Sequence, residues 1–383
     1  MKSLSRPALR LLPLALAAAL AAPAQAQSPL ALYESARQHD AAWQSARAQY
    51  EANQYRADQA KAGLLPQVGV QSSISRTEFD NTNPSIERNF NTRSAAIQAT
   101  QPLYRPANYA TYEQSKRQAE QARAQLEVAS QDLIVRVSQA YFDVLAAQDS
   151  LAFVRAQKSA VSEQLASAKR NFEVGTATIT DTREAQARYD LVLAQEIAAE
   201  NDLRVRKLAL DTLVGRSDAQ PVPLAAPLAV PAPEPADVNA WVDQAEAASP
   251  SIQQARLALD VARLETEKAR AGHKPTVDFT ASRANVHNPS GNTTTPVAFN
   301  TGSTQYGITL NLPLFAGFAT QNRVRETLAL EDKAQADLDN ARRTVAQATR
   351  TAYFGLVSGA GQVRALEAAE ASSQSALDAN RLG

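Results

Sequence analysis

Two periodicities alternate along this chain. From Ala107 to Phe172 there is neither proline nor glycine. Apolar residues recur there at Leu126, Leu133, Val137, Tyr141, Val144, Leu151, Val154, Val161, Leu165, Ala168 and Phe172. These spacings of sevens, fours and threes predict one long helix with a coiled-coil stripe. At 1.5 Å per residue, about 65 residues span roughly 100 Å. Phe172-Glu173-Val174-Gly175-Thr176 reads as a turn, followed by a return helix from Asp181 to Val214 that Gly215 ends. A helix-like stretch, Leu30 to Leu65, precedes this region and stops at Pro66.

The second periodicity has period two. Val68, Val70 and Ile74 share one side of a short segment, with Gln67, Gln71, Ser73 and Ser75 on the other. A polar stretch, Thr77 to Asn91, reads as a loop, and alternation returns at Ala95, Ile97 and Ala99. Further on, Val277, Phe279 and Ala281 face one way, and Thr276, Thr280 and Ser282 the other. A polar loop from Asn285 to Ser303 leads to Tyr306, Ile308, Leu310 and Leu312. One apolar face at period two predicts strands, at about 66–76, 94–104, 275–284 and 304–314. Such segments suit a membrane β-barrel, apolar side to lipid, and equally a soluble hairpin.

The pattern is duplicated. Ala62–Val68 aligns with Ala271–Val277 at a shift of 209, Gln101–Tyr104 with Leu312–Phe315 at 211, and Ala140-Tyr141-Phe142 with Ala352-Tyr353-Phe354 at 212. Helix-like residues 239–272, interrupted at Pro250, lead into the second pair of strands. The stripe recurs at Val345, Tyr353, Leu356, Val363, Leu366 and Leu377. The expected organisation is a first repeat over 27–215, a Pro-rich linker over 216–238 and a second repeat over 239–383. Six prolines between Pro221 and Pro235 make the linker extended.

Composition narrows the function. Lys2, Arg6 and Arg10, the apolar run 11–22 and Ala24-Gln25-Ala26 predict a cleaved secretory signal over 1–26. Its removal takes three positive charges from a neutral chain and leaves −3. That balance argues against a nucleic-acid partner. The chain has no cysteine, so thiolate chemistry, disulfides and an acylated N-terminal cysteine are excluded. His39, His273 and His287 are widely spaced, and the carboxylates scatter along helical faces, so no catalytic, cofactor or metal site stands out. Past residue 26 no apolar run is long enough for a spanning helix. Two strands per repeat leave open edges, which lipid forbids, so a barrel needs partner chains.

Together these features resemble the TolC family of outer-membrane efflux and secretion ducts. The resemblance rests on Gly63-Leu64-Leu65-Pro66-Gln67, Gln101-Pro102-Leu103-Tyr104, Ala140-Tyr141-Phe142 and Phe172-Glu173-Val174-Gly175, and covers nearly all of the mature chain. It implies a mostly helical fold with a small β part and no enzymatic activity. It further implies a homotrimer with a twelve-stranded barrel in the outer membrane of a Gram-negative cell, continued by a periplasmic coiled-coil barrel. Cargo, protein or small molecule, would come from an inner-membrane ABC or RND-type pump through a periplasmic adaptor (membrane fusion) protein. Under it Val68, Val70, Val277, Phe279, Ile308 and Leu310 face outer-membrane lipid. The adaptor contact matches Val174, Gly175 and Thr176, and the gate matches Thr180 and Asp181. From the residues alone, Gly175 reads equally as a helix C-cap. Asp181 reads as an N-cap, with Glu184 completing a capping box.

The resemblance departs at the C-terminus. Gly383 corresponds to Asn171, so the second repeat is expected to be truncated, without its last turn and long helix. A continuation would open on an aromatic residue, then a Val-Gly-Thr-like turn, an arginine and paired aspartates. The alternatives are a periplasmic coiled-coil scaffold or adaptor without a barrel, or a non-functional truncated product.

Overall fold

The computed structural model describes residues 28–224 and 231–382. Residues 1–26, expected to be a secretory signal, and residues 225–230 of the expected linker lie outside them. The elements run α1 (Pro29–His39), α2 (Ala41–Lys61), β1 (Gln67–Thr82), β2 (Ser85–Tyr104), α3 (Pro106–Glu173), α4 (Ile179–Val214), α5 (Val238–Ala248), α6 (Pro250–Ala271), β3 (Thr276–Asn288), β4 (Phe299–Asn311) and α7 (Ala319–Leu382). Two helices, two strands and a long helix occur twice, in the same order.

The lead-in stretch is two helices, not one. Asp40 adopts extended backbone, and its Oδ2 accepts from the Trp43 amide at 2.8 Å, capping α2. Asp competes with the helix for backbone donors, so it breaks the periodicity that apolar positions alone suggest. The residue 209 positions on, Ser249, is also extended and precedes Pro250 at the start of α6.

The strands are longer than the alternating segments, and much of both polar stretches is strand. The stretch 77–91 lies in the ladder except for the Asn83-Pro84 turn, because β1 reaches Thr82 and β2 starts at Ser85. The stretch 285–303 is strand at both ends, leaving 289–298 as connection. The physical cause is a change of side. Below Ser75 the apolar residues of β1 sit at even positions, whereas Phe79 sits at an odd one, paired with Arg88. Following one apolar face therefore ends the strand too early.

Contacts divide the chain into two compact units. Among the described residues the first comprises 28–45 and 129–224. Its core joins Leu32 and Ala36 of α1, Leu133, Val137, Tyr141 and Val144 of α3, and Leu210 and Val214 of α4, all buried. Full burial of each larger side chain is worth about 1.5–3 kcal/mol. Gly215 closes α4 at φ 69°, and a Cβ there would lie 2.1 Å from the His39 ring. Glycine is thus required by both backbone and space. Arg136 donates to Asp40 Oδ1 and Oδ2 at 2.9 and 3.0 Å and to Asp132 at 2.7 Å. That fork holds the Asp40 carboxyl below the usual carboxylate range.

Among the described residues the second unit comprises 46–128 and 231–382. Helices α6 and α7 pack through Ile252, Leu259 and Leu338. A polar seam runs beside them, with Arg323 donating to Glu265 at 2.7 Å and Gln114 to Glu265 at 3.0 Å. The strands form one antiparallel sheet in the order β1-β2-β3-β4. At its base Arg105 grips Asp278 through two bonds of 2.7 and 2.6 Å. Towards its C-terminal end α7 keeps its stripe in solvent, with Leu356, Leu366 and Leu377 exposed.

Candidate channel surfaces

The sheet has two chemically distinct faces, set by register. Residues paired across an antiparallel ladder share a face. Val68 pairs with Ala99, Ala99 with Ala281, and Ala281 with Tyr306. Two residues along each strand, Val70 pairs with Ile97, and Ile97 with Arg283. Towards the base, Phe279 pairs with Ile308 and Val277 with Leu310. Val68, Val70, Val277, Phe279, Ile308 and Leu310 therefore lie on a single face. Apolar side chains there stand in the open, Val70 at 78% and Ile308 at 69%. Arg283 shares the face, where a long aliphatic stem lets a charge reach a polar boundary.

Up to Ser75 of β1 the opposite face is mostly polar, and beyond it the same face carries Phe79, Ile86 and Phe90. Gln67 pairs with Thr100, Thr100 with Thr280, and Gln98 with Ser282. Ser73 and Ser94 hydroxyls meet at 2.7 Å across the ladder. Gln71 and Ser73 belong to this face by parity.

The α3–α4 turn is the second candidate site. Ion pairs tie the helices in antiparallel order, Arg206 to Asp143 at 3.0 Å, Arg155 to Glu200 at 2.7 Å and Lys158 to Glu196 nearer the turn. At the turn the Asn171 carbonyl accepts from the amides of Thr176 and Ala177, at 2.8 and 3.2 Å, and from Thr176 Oγ1 at 3.0 Å. Gly175 has φ 79° and open space where a Cβ would point. The backbone angle, and no close neighbour, calls for glycine there. Val174 is 72% exposed at the tip.

The capping box sits one turn earlier than the sequence suggests. The cap of α4 is Thr178, and Asp181 is its partner three residues on. Asp181 Oδ2 accepts from the Thr178 amide and hydroxyl, both at 2.8 Å, and Thr178 Oγ1 accepts from the Asp181 amide at 3.2 Å. The Thr178 amide, then the hydroxyl, lower the Asp181 pKa. Glu184 pairs instead with Arg188 at 2.5 Å. Thr178 and Asp181, three residues apart, satisfy each other's amides, so the helix begins at Ile179. Thr180 is exposed beside the box.

Sequence reasoning missed the contacts that join distant segments. Arg88, Arg105, Arg136 and the hydroxyls of Tyr141 and Tyr353 all bond across long separations. The signal available was repetition for the tyrosines alone, since Tyr353 follows Tyr141 by 212 residues.

The chain thus combines an open four-stranded sheet that has one apolar face with long, antiparallel paired helices. The family model described as "Outer membrane efflux protein" matches residues 32–216 and 241–383, and the chain belongs to that family. It is similar to "Outer membrane protein TolC" of Vibrio cholerae serotype O1, 32% identical over 98% of this chain and 85% of the relative. It is also similar to "Alkaline protease secretion protein AprF" of Pseudomonas aeruginosa, 33% identical over 91% of this chain and 74% of the relative. Among solved structures CusC superposes with a TM-score of 0.77 at 15% identity, covering 92% of this chain and 81% of that one. VceC of Vibrio cholerae superposes at 0.72 and 18% identity, covering 90% and 82%. CusC is described as forming a transmembrane channel. The protein is an outer-membrane channel of the efflux and type I secretion class, reaching into the periplasm.

Proposed function

We propose that three copies of this chain close a twelve-stranded barrel whose polar face lines the pore and whose apolar face meets lipid. The observation that carries this reading is the register, which segregates Val68, Val70, Val277, Phe279, Ile308 and Leu310 from Gln67, Gln71, Ser73, Thr280 and Ser282. β1 and β4 are the two edges of the sheet. An open edge in hydrocarbon leaves backbone donors and acceptors unpaired, at several kcal/mol each, and pairing β1 of one copy with β4 of the next removes both edges. The work of such a duct is passage, with no bond made or broken.

Val174, Gly175 and Thr176, at the α3–α4 turn, form the tip offered to a periplasmic adaptor, which couples the duct to an inner-membrane ABC or RND-type pump. The relatives named for protease secretion and for efflux support both kinds of cargo, and the pump selects between them. Thr180 and Asp181 contribute to the gate, with the Asp181 carboxylate serving the helix cap as well. Extraction of outer membranes in mild detergent tests the assembly. A trimer on an unheated gel that collapses to monomer on boiling is expected. A soluble periplasmic monomer overturns the reading in favour of a scaffold.

A further inference from the structure

The β3–β4 connection, residues 289–298, folds back over the polar face of the sheet and is held from β2. Arg88 Nη1 donates to the Asn292 carbonyl at 2.8 Å and Nη2 to the Pro296 carbonyl at 3.3 Å. Thr92 Oγ1 donates to Asn288 Oδ1 at 2.8 Å, and Asn288 is buried. Register places Arg88 opposite Phe79 and Thr92 opposite Ser75, odd positions of β1 and so the same face as Gln67 and Gln71. Burial follows the same parity. Phe79, Ile86, Arg88, Phe90 and Thr92 are partly covered, while Glu87, Asn89 and Asn91 on the other face are exposed. A loop trailing into solvent would leave both sets open.

The connection is also pre-formed. The Asn292 amide donates to the Thr295 carbonyl at 2.8 Å, and Asn292 Oδ1 accepts from the amides of Thr294 and Thr295 at 3.0 and 2.7 Å. Gly291 has φ 74°, and a Cβ there would stand 2.2 Å from the Thr295 carbonyl oxygen. The segment therefore moves as one piece or stays put.

We propose that residues 289–298 form an inward flap that narrows the outer mouth of the channel, latched by Arg88, and so set the largest cargo that passes. This rests on the reading of the polar face as pore lining. The flap lies at the end of the strands away from α2, α3, α6 and α7, the extracellular end in that reading. In a trimer three flaps converge on the axis. Arg88 is a positioning residue. Its planar fork spans two carbonyls, which the single ammonium of a lysine cannot do. Losing its charge-assisted bonds raises the open fraction by about tenfold or more.

The chain has no cysteine, so Gln98→Cys, on the polar face, supplies a single thiol. Intact cells are treated from outside with N-ethylmaleimide, or with a maleimide on a long polyethylene glycol chain. The expected result is that Arg88→Ala speeds labelling by the large reagent about tenfold, leaves the small reagent within about twofold, and that Arg88→Lys restores little. Asn288→Ala, which breaks the second tie, shifts the large reagent in the same direction and decides the matter if Arg88→Ala does not reach the membrane. Unchanged labelling by the large reagent in the variant that does reach it overturns the flap. Ile97→Cys on the apolar face separates this from failure of the reading beneath: aqueous labelling of Ile97→Cys equal to that of Gln98→Cys removes the pore lining itself, and the flap with it.

Discussion

Tyr141 and Tyr353 occupy the same position in the two repeats, and each donates its hydroxyl to a backbone carbonyl of the segment that joins them, Val222 for Tyr141 and Ala236 for Tyr353. One tyrosine thus fastens the entry to the proline-rich linker and its counterpart fastens the exit. Each sits edge-to-face with the next aromatic, Phe142 or Phe354. Tyr141 is 2% exposed, whereas Phe142 and Phe354 are exposed. Tyr141→Phe removes a bond from a buried site and costs about 0.5–1.5 kcal/mol. Tyr353→Phe, in a wetter setting, costs less. Thermal unfolding of the two variants in detergent checks the order. Equal midpoints would mean that the linker is held by something other than these hydroxyls.

Single arginines distinguish the faces of the sheet. Val70→Arg and Ile308→Arg lower the yield of folded protein in the outer membrane, at a cost of about 2–4 kcal/mol near the midplane. Gln71→Arg, one residue along and on the other face, is tolerated. Quantifying the heat-modifiable form for all three variants provides the check, and indifference at all three positions refutes the assigned orientation.

At the α3–α4 turn the predictions separate contact from scaffold. Gly175→Arg blocks crosslinking to the adaptor while the trimer persists, and loss of the trimer as well would reduce Gly175 to a structural role. The substitution also forces a non-glycine residue to φ 79°, a local strain of about 1–2 kcal/mol. Asp181→Ala removes the carboxylate half of the capping box and leaves the Thr178 hydroxyl on the backbone amide of residue 181, so the first turn of α4 frays more readily. If Asp181 also serves the gate, the same change raises resting conductance in planar bilayers. Unchanged conductance leaves it as a cap alone.

Asp40 gives the first unit an acid-sensitive tie. Its folded-state pKa lies below the ordinary carboxylate value because Arg136, then the Trp43 amide, favour the charged form over the opposing effect of burial. A carboxyl depressed by folding stabilises the folded state above its unfolded pKa, and that contribution is lost as pH falls. The loss begins near the ordinary Asp value, about pH 3.9, and completes below the folded one. Asp40→Asn weakens the pair and the α2 cap, costing about 1–3 kcal/mol at neutral pH. The gap between wild type and variant narrows as the buffer is taken from pH 7 to pH 3 in unfolding measurements. A gap that stays constant with pH would show that Asp40 acts through its shape and not its charge.

Local chemistry made part of this protein legible in its sequence. The long stripe from Leu126 to Leu165 needs only 3.5-residue periodicity, and the same pattern marks the helix wherever its partners lie. Valine and glutamine alternating around Val70 give a strand two faces before any pairing is known. Duplication shows in the recurrence of Tyr141-Phe142 at Tyr353-Phe354. Tertiary structure decided the rest. The pairing of Ile97 with Arg283 brings together strands of different repeats, and no local pattern states which edges meet. The extension of β1 to Thr82 depends on a partner that pairs polar residues through their backbone, which the side chains do not announce. The latch from Arg88 to Asn292 and Pro296 crosses more than 200 residues. Such bonds form only after the backbone has placed donor and carbonyl within reach, because an arginine carries no mark of its acceptor. Sequence periodicity thus fixes which face of an element seeks burial or water, and the fold alone decides what that face finds.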